Sequence, residues 1–171
     1  MPTVLATAIG VGIMGGVAAW LFLSVGTLLI WAAFVAWASY FAIGGDRTAI
    51  GLNLTSNAFG VAVAWLVALL ALANPFDALP APVWVGILVS LSVLLYILAS
   101  PIPAFSSVPA VTLGYATTFA FLSQTPGAFT YPALLSISLH NALLIVLLSM
   151  SLGTGFAVAS ARLSSTLASK A

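Results

Sequence analysis

From residue 48 to residue 161 the chain carries a single formally charged side chain, Asp77, and apolar runs such as 61–72 pass without interruption. Such a sequence cannot cover a water-facing surface: an ordinary soluble domain carries about 25% charged residues, whereas 3% of this chain is charged and 63% is hydrophobic. With a mean hydropathy of +1.28, nearly every face of every element is apolar, so the solvent is lipid. Barrel strands would alternate polar and apolar residues toward a lumen. The runs show no such alternation, and the expected fold class is an all-α integral membrane protein.

The same scarcity limits chemistry. Asp46 and Asp77 are the only acids, His140 the only histidine, and cysteine is absent. A carboxylate pair, a multi-histidine metal site or a thiolate nucleophile has no material to be built from, so no enzyme, no metal and no cofactor is expected. A net charge of +1 offers no basic patch for nucleic acid. The segment Met1-Pro2-Thr3 lacks the cationic region of a signal peptide, and the first apolar run is read as a permanent span.

Polar, Gly and Pro clusters divide the apolar sequence into runs near the length of a bilayer crossing, which takes about 20 helical residues. Six transmembrane helices are expected at 4–24, 27–44, 49–73, 83–99, 106–123 and 132–158, forming one domain over 1–160 with a short solvated tail at 161–171. The turn Val25-Gly26-Thr27 is so short that the first two helices should lie antiparallel as neighbours. Arg47, Arg162 and Lys170 all fall on one side of a six-span arrangement, which places both termini in the cytoplasm and the Asp77 loop outside. Trp31, Trp84 and Tyr131 lie near span ends, where amphipathic rings suit the headgroup region.

An internal repeat is expected across the spans. Residues 31–42, WAAFVAWASYFA, align without gaps on 109–120, PAVTLGYATTFA, matching Ala32 with Ala110, Ala38 with Ala116, Phe41 with Phe119 and Ala42 with Ala120. Farther on, Ser56-Asn57-Ala58 answers His140-Asn141-Ala142. The pieces fall as a three-plus-three duplication requires, with repeats at 1–75 and 82–160, and odd-numbered repeats have opposite orientations. Transporters and channels built this way hold their permeation site near the midplane, between the halves.

Trp20, Trp31-Ala-Ala-Phe34, Ser39-Tyr-Phe-Ala42, the Gly-Gly loop, Gly60 with Trp65, Val108-Pro109, Gly114 and Thr118-Phe-Ala120 together resemble the small bacterial inner-membrane family known as domain of unknown function 1097. The resemblance spans about residues 15–156 and departs at Asp46-Arg47 and at Ser100-Pro-Ile-Pro103. It implies a six-span protein of the bacterial inner membrane and brings no catalytic residues. The size is also similar to that of small six-span urea, acetate and amide channels, a likeness of shape alone.

The candidate functional residues are the polar ones inside the spans. Asn53 and Asn57, four apart, project from one helical face, as do Ser136 and His140. Asn141 follows His140, the only ionisable side chain expected well inside the hydrocarbon. Each has two readings, as a pore-lining group or as a hydrogen-bonding tie between helices. The segment 100–109 cannot be regular helix, because Pro101, Pro103 and Pro109 remove donors. It is read as a loop; were it to dip into the bilayer, its carbonyls and the helix bearing Thr112, Tyr115 and Thr118 would face a cavity. Gly12 and Gly16 form a small-residue pair for close packing.

These residues point to a channel or facilitator for a small neutral polar solute of the urea, amide or weak-acid class, because hydroxyls and amides replace the few hydrogen bonds such a solute has in water. A dehydrated ion would need compensating charges or rings of carbonyls. The alternative is a structural or assembly subunit with no transport activity. The expected surroundings are the lipid bilayer and further copies of the chain in a closed homo-oligomer.

Overall fold

The computed structural model describes residues 1–76 and 79–168. Asp77 and Lys170, which enter the orientation argument, lie outside them. The described elements are helical: α1 (Thr3–Val25), α2 (Ile30–Ala42), α3 (Arg47–Ala73), α4 (Ala81–Leu98), a 3₁₀ turn (Pro103–Phe105), α5 (Val108–Gln124), α6 (Tyr131–Leu134) and α7 (Ala142–Leu167). Four of them, α1, α3, α4 and α7, are long and apolar enough to cross a membrane, which makes this a multi-pass membrane protein. Two helices fall short of the expected six full spans. With 13 residues in α2 and 17 in α5, they reach about 20 and 26 Å against a hydrocarbon thickness of about 30 Å.

The boundaries follow from local chemistry. Gly26, at φ 73°, adopts the left-handed conformation that ends α1, its N–H bonded to Phe22 O at 2.9 Å. Asp46 caps α3, accepting from Thr48 Oγ1 at 2.7 Å and Ala49 N at 2.8 Å. The Thr48 hydroxyl first, and the Ala49 N–H next, hold its carboxyl below the ordinary carboxylate value. Ser107 caps α5 by accepting from Ala110 N at 3.3 Å.

The last expected span needs correction. Helix α6 stops at Leu134 and regular structure resumes only at Ala142, ten residues later than the predicted start. Side chains in the link compete for its backbone: Ser136 Oγ donates to Ala133 O at 2.9 Å, Asn141 Nδ2 donates to Ser136 O at 2.9 Å, and Asn141 Oδ1 caps α7 at Leu143 N. The shared helical face of Ser136 and His140 therefore does not exist. At the other end α7 runs on to Leu167, through most of the expected solvated tail.

Packing directions can be read from paired contacts. Helix α1 touches α2 but lies mainly along α7, antiparallel, with Gly10 against Ser160 and Ser164 and Phe22 edge-on to Phe156 at 6.3 Å. Helix α2 runs parallel to α7: Leu29 N donates to Ser149 Oγ at 3.0 Å, Ala33 lies under Gly153, and Trp37 stacks on Phe156 at 6.2 Å. Helix α5 rises with α3 in the same sense, from the Thr55 Oγ1 bond to Ala104 O at 2.6 Å up to the apolar cluster shared by Ala68 and Phe121. Helix α4 is antiparallel to both, with Trp84 Nε1 on Leu70 O at 3.0 Å and Ser92 on the Tyr115 hydroxyl at 2.9 Å.

Helix α7 also touches α3 and α5, and α2 touches both α3 and α5. Where α2 and α5 cross their partners, glycines bring backbones together: Gly153 over Ala33, and Gly60 and Gly114 in the α3–α5 contact with Val111, Tyr115 and Asn57. The Pro-rich segment is more than a loop at the helix ends. Its 3₁₀ turn seats Phe105 on Phe59 at 4.2 Å and Ala104 O on Thr55, eight residues and so about 12 Å along α3.

Candidate functional site

The eight candidate residues divide into three separate groups. At the Ala73 end of α3, an open cavity of about 790 Å³ is lined by Thr27, Phe121, Thr125, Thr130, Ser136, Ser138 and His140, with Ile145 of α7 beneath. The polar wall comes from the non-helical link before α7. Ser136 and Ser138 share a hydrogen bond of 2.9 Å, and His140 N donates to Ser138 Oγ at 3.3 Å. Asn141 lines no part of the cavity; bonded to Ser136 O and Leu143 N, it fixes the link and starts α7. His140 is exposed at this vestibule rather than embedded among apolar helices. The outer face of α3 is tied to the same end by Trp65 Nε1 on Leu134 O at 2.9 Å and by the Tyr131 hydroxyl on Leu69 O at 3.2 Å.

The second group is sealed. Asn53 is 0% exposed and Asn57 3%. Asn53 Nδ2 donates to Ala36 O at 3.0 Å and to Thr154 Oγ1 at 2.9 Å, and Asn57 Nδ2 donates to Asn53 Oδ1 at 2.9 Å. This chain of bonds ties α3 to α2 and α7. Asn57 Oδ1 is buried with no partner among the described residues. Between α3 and α7, beside Asn57, Leu147, Met150 and Thr154, lies a void of about 10 Å³, room for about one water molecule. From Ile145 under the vestibule to Met150 beside the void, α7 advances about 8 Å. Val61, Leu134 and Val146, each fully buried, pack in one apolar cluster with Ile145 and Met150.

The third group faces α4 or its own helix. Thr112 Oγ1 bonds the Tyr96 hydroxyl at 3.2 Å, Tyr115 bonds Ser92, and Thr118 Oγ1 donates to Gly114 O at 3.0 Å. These hydroxyls line neither the vestibule nor the void. The expected match of Asn57 with Asn141 also fails structurally: Asn57 sits ten residues inside α3, while Asn141 is the cap preceding α7.

Sequence reasoning missed Thr27, Thr125 and Thr130 at the vestibule, and Ser149 and Thr154 as partners of Leu29 and Asn53. Ser149 and Thr154 were legible as polar positions inside the longest apolar stretch of the second half. The vestibule threonines lie in connections and carry no periodic signal.

The arrangement defines a class: a multi-pass helical membrane protein with an open, largely apolar cavity at one end, edged by threonine, serine and histidine side chains, and an amide-bonded, closed midsection. The sequence model of the family described as protein of unknown function (DUF1097) matches residues 8–165, and the chain belongs to that family. No curated protein and no solved structure matches the chain.

Proposed function

We propose that this protein is a facilitator for a small neutral polar solute in a bacterial inner membrane. Its six membrane-embedded helices form two inverted halves, α1–α3 and α4–α7. The observation that carries the reading is the pairing of α2 and α5, with 13 and 17 residues. Short helices at corresponding positions of two halves are the sequence mark of a transporter's midplane site. Each is entered by non-helical backbone seated partway along a long helix of the other half, at Ser149 for α2 and at Thr55 for α5. The ungapped repeat alignment pairs Ala33 with Val111, and these two residues lie under Gly153 and Gly60 respectively. The helix contacts exchange in the same way.

In this reading the vestibule is the outer mouth. Its threonines, serines and His140 exchange hydrogen bonds with a neutral amide or protonated weak acid, and Phe121 and Ile145 strip its water. The closed midsection is the constriction, and conduction requires α7 to move against α3 at the Asn57 void. The Arg47 end, with Arg162, faces the cytoplasm, and the protein assembles as a closed homo-oligomer.

The sealed midsection also favours a second reading, a structural subunit whose buried amides only tie helices together. Solute-driven stopped-flow shrinkage of proteoliposomes separates the two, run over urea, short amides, glycerol, ammonia and acetate. Because the chain has no cysteine, Ser138→Cys gives a unique handle at the mouth. The facilitator reading expects flux above empty liposomes, altered by His140→Ala and blocked when a bulky thiol reagent is attached to the Ser138→Cys variant. Silence toward every solute with assembly intact leaves the structural reading.

A further inference from the structure

At the opposite end from the vestibule, a second cleft of about 490 Å³ opens between the α2–α3 turn and the last turns of α7. Arg47 and Arg162 both line it, two of the three bases in the whole chain, contributed by different helices. Among the described residues, neither guanidinium has an ion-pair or hydrogen-bond partner. Asp46 also borders the cleft, but its carboxylate is committed to Thr48 and Ala49 at the start of α3. Tyr40 forms a wall, its hydroxyl held on Gly45 O at 2.6 Å, and Ser165 lies beside Arg162. Ile50, Val158 and Ala161 supply an apolar floor.

We propose that this cleft binds the phosphodiester of an anionic phospholipid headgroup. Guanidinium forks match phosphate oxygens in pairs, more closely than an ammonium does. Two arginines and one aspartate leave a net single positive charge, which suits a monoanionic phosphodiester with an uncharged head such as phosphatidylglycerol. A choline head would put its own cation against the arginines. The apolar floor accepts the start of an acyl chain, and basic pockets between membrane helices bind anionic headgroups by this combination. The site is independent of whether the vestibule conducts solute.

The test is binding of short-chain phosphatidylglycerol to the detergent-purified full chain, with phosphatidylcholine as the comparison lipid. The proposal expects phosphatidylglycerol to bind in preference, with affinity falling about five-fold for Arg47→Gln or Arg162→Gln and about 25-fold for the double variant. The double Arg→Lys variant, which keeps the charge but loses the paired fork, should bind more weakly than the parent chain and more tightly than the double glutamine variant. Ser165→Trp, which fills the cleft while sparing both arginines, should also lose it and serves should the charge variants misfold. Displacement of the lipid by inorganic phosphate at equal strength would keep the phosphate chemistry but make a free anion the ligand, overturning the lipid assignment. Unchanged binding in the double glutamine variant, or equal binding of phosphatidylcholine, overturns the site itself.

Discussion

Replacing Gly60 by alanine tests the α3–α5 contact directly. A Cβ at this position would meet the carbonyl carbon of Val111 at 2.8 Å and the backbone nitrogen of Tyr115 at 2.9 Å. Both obstacles are backbone, so no rotamer change relieves them, and α5 must shift as a body. That shift strains Val111, which is fully buried, and the Tyr115–Ser92 bond. Overpacking of this kind costs about 1–3 kcal/mol, while Gly→Ala inside a helix returns about 1 kcal/mol of propensity. The expected net loss is up to about 2 kcal/mol. Gly12 provides the control, since a Cβ there has nothing within 4 Å; Gly12→Ala should be neutral or stabilising by up to about 1 kcal/mol. Unfolding titrated with sodium dodecyl sulfate in mixed micelles, followed by helical circular dichroism, measures both. Equal stabilities of the two variants would refute the close backbone approach.

Three further outcomes are expected. Asn53→Leu removes three buried hydrogen bonds, at about 0.6 kcal/mol each on average in a membrane interior. It should therefore destabilise by about 2 kcal/mol in the same titration, more than Asn57→Leu, which removes one; the reverse order would count against the network. Asp46 has a lowered folded value, so its contribution to stability is present above the ordinary carboxylate value of about 4 and disappears as pH falls through the lowered folded value. Thermal unfolding across that acid range should show a smaller pH slope for Asp46→Asn than for the parent chain, and identical slopes would rule out the linkage. For topology, an impermeant thiol reagent on intact cells should label Ser138→Cys and spare Ser165→Cys; the opposite pattern inverts the proposed orientation.

How much of this was legible in the sequence depends on which force decided each feature. Lipid as solvent followed from the charge count, because no packing arrangement can supply missing surface charge. The long helices followed from apolar run length, and α3 and α4 begin and end close to their expected limits. The last span starts late because hydropathy sees Leu135, Ile137 and Leu139 as continuing a helix that the local hydrogen bonds break. The competing signal, Ser136, Ser138 and Asn141 bonding the nearby backbone, is positional and short-ranged. The Asn53–Asn57 pair is visible as a shared face, yet its burial depends on Ala36 and Thr154 arriving from distant helices. The repeat alignment pairs Ala33 with Val111, and each of these meets a glycine of a long helix. The match proposed for Asn57 and Asn141 fails because Asn141 caps α7 after the broken helix α6, whereas Asn57 lies inside α3.

The parallel seating of α2 on α7 has a consequence for the order in which the chain is made. Synthesis delivers α1 and α2 first and α7 last among the described helices, and domains acquire structure from the N-terminus as they emerge. Helix α2 is too short to span comfortably alone, and the hydroxyl that satisfies Leu29 N belongs to Ser149. Until α7 is made, Leu29 N lacks the Ser149 hydroxyl, and Gly10 and Ala33 lack the α7 surface they pack against. A truncation before Ala142 removes the seat of two other helices along with its own.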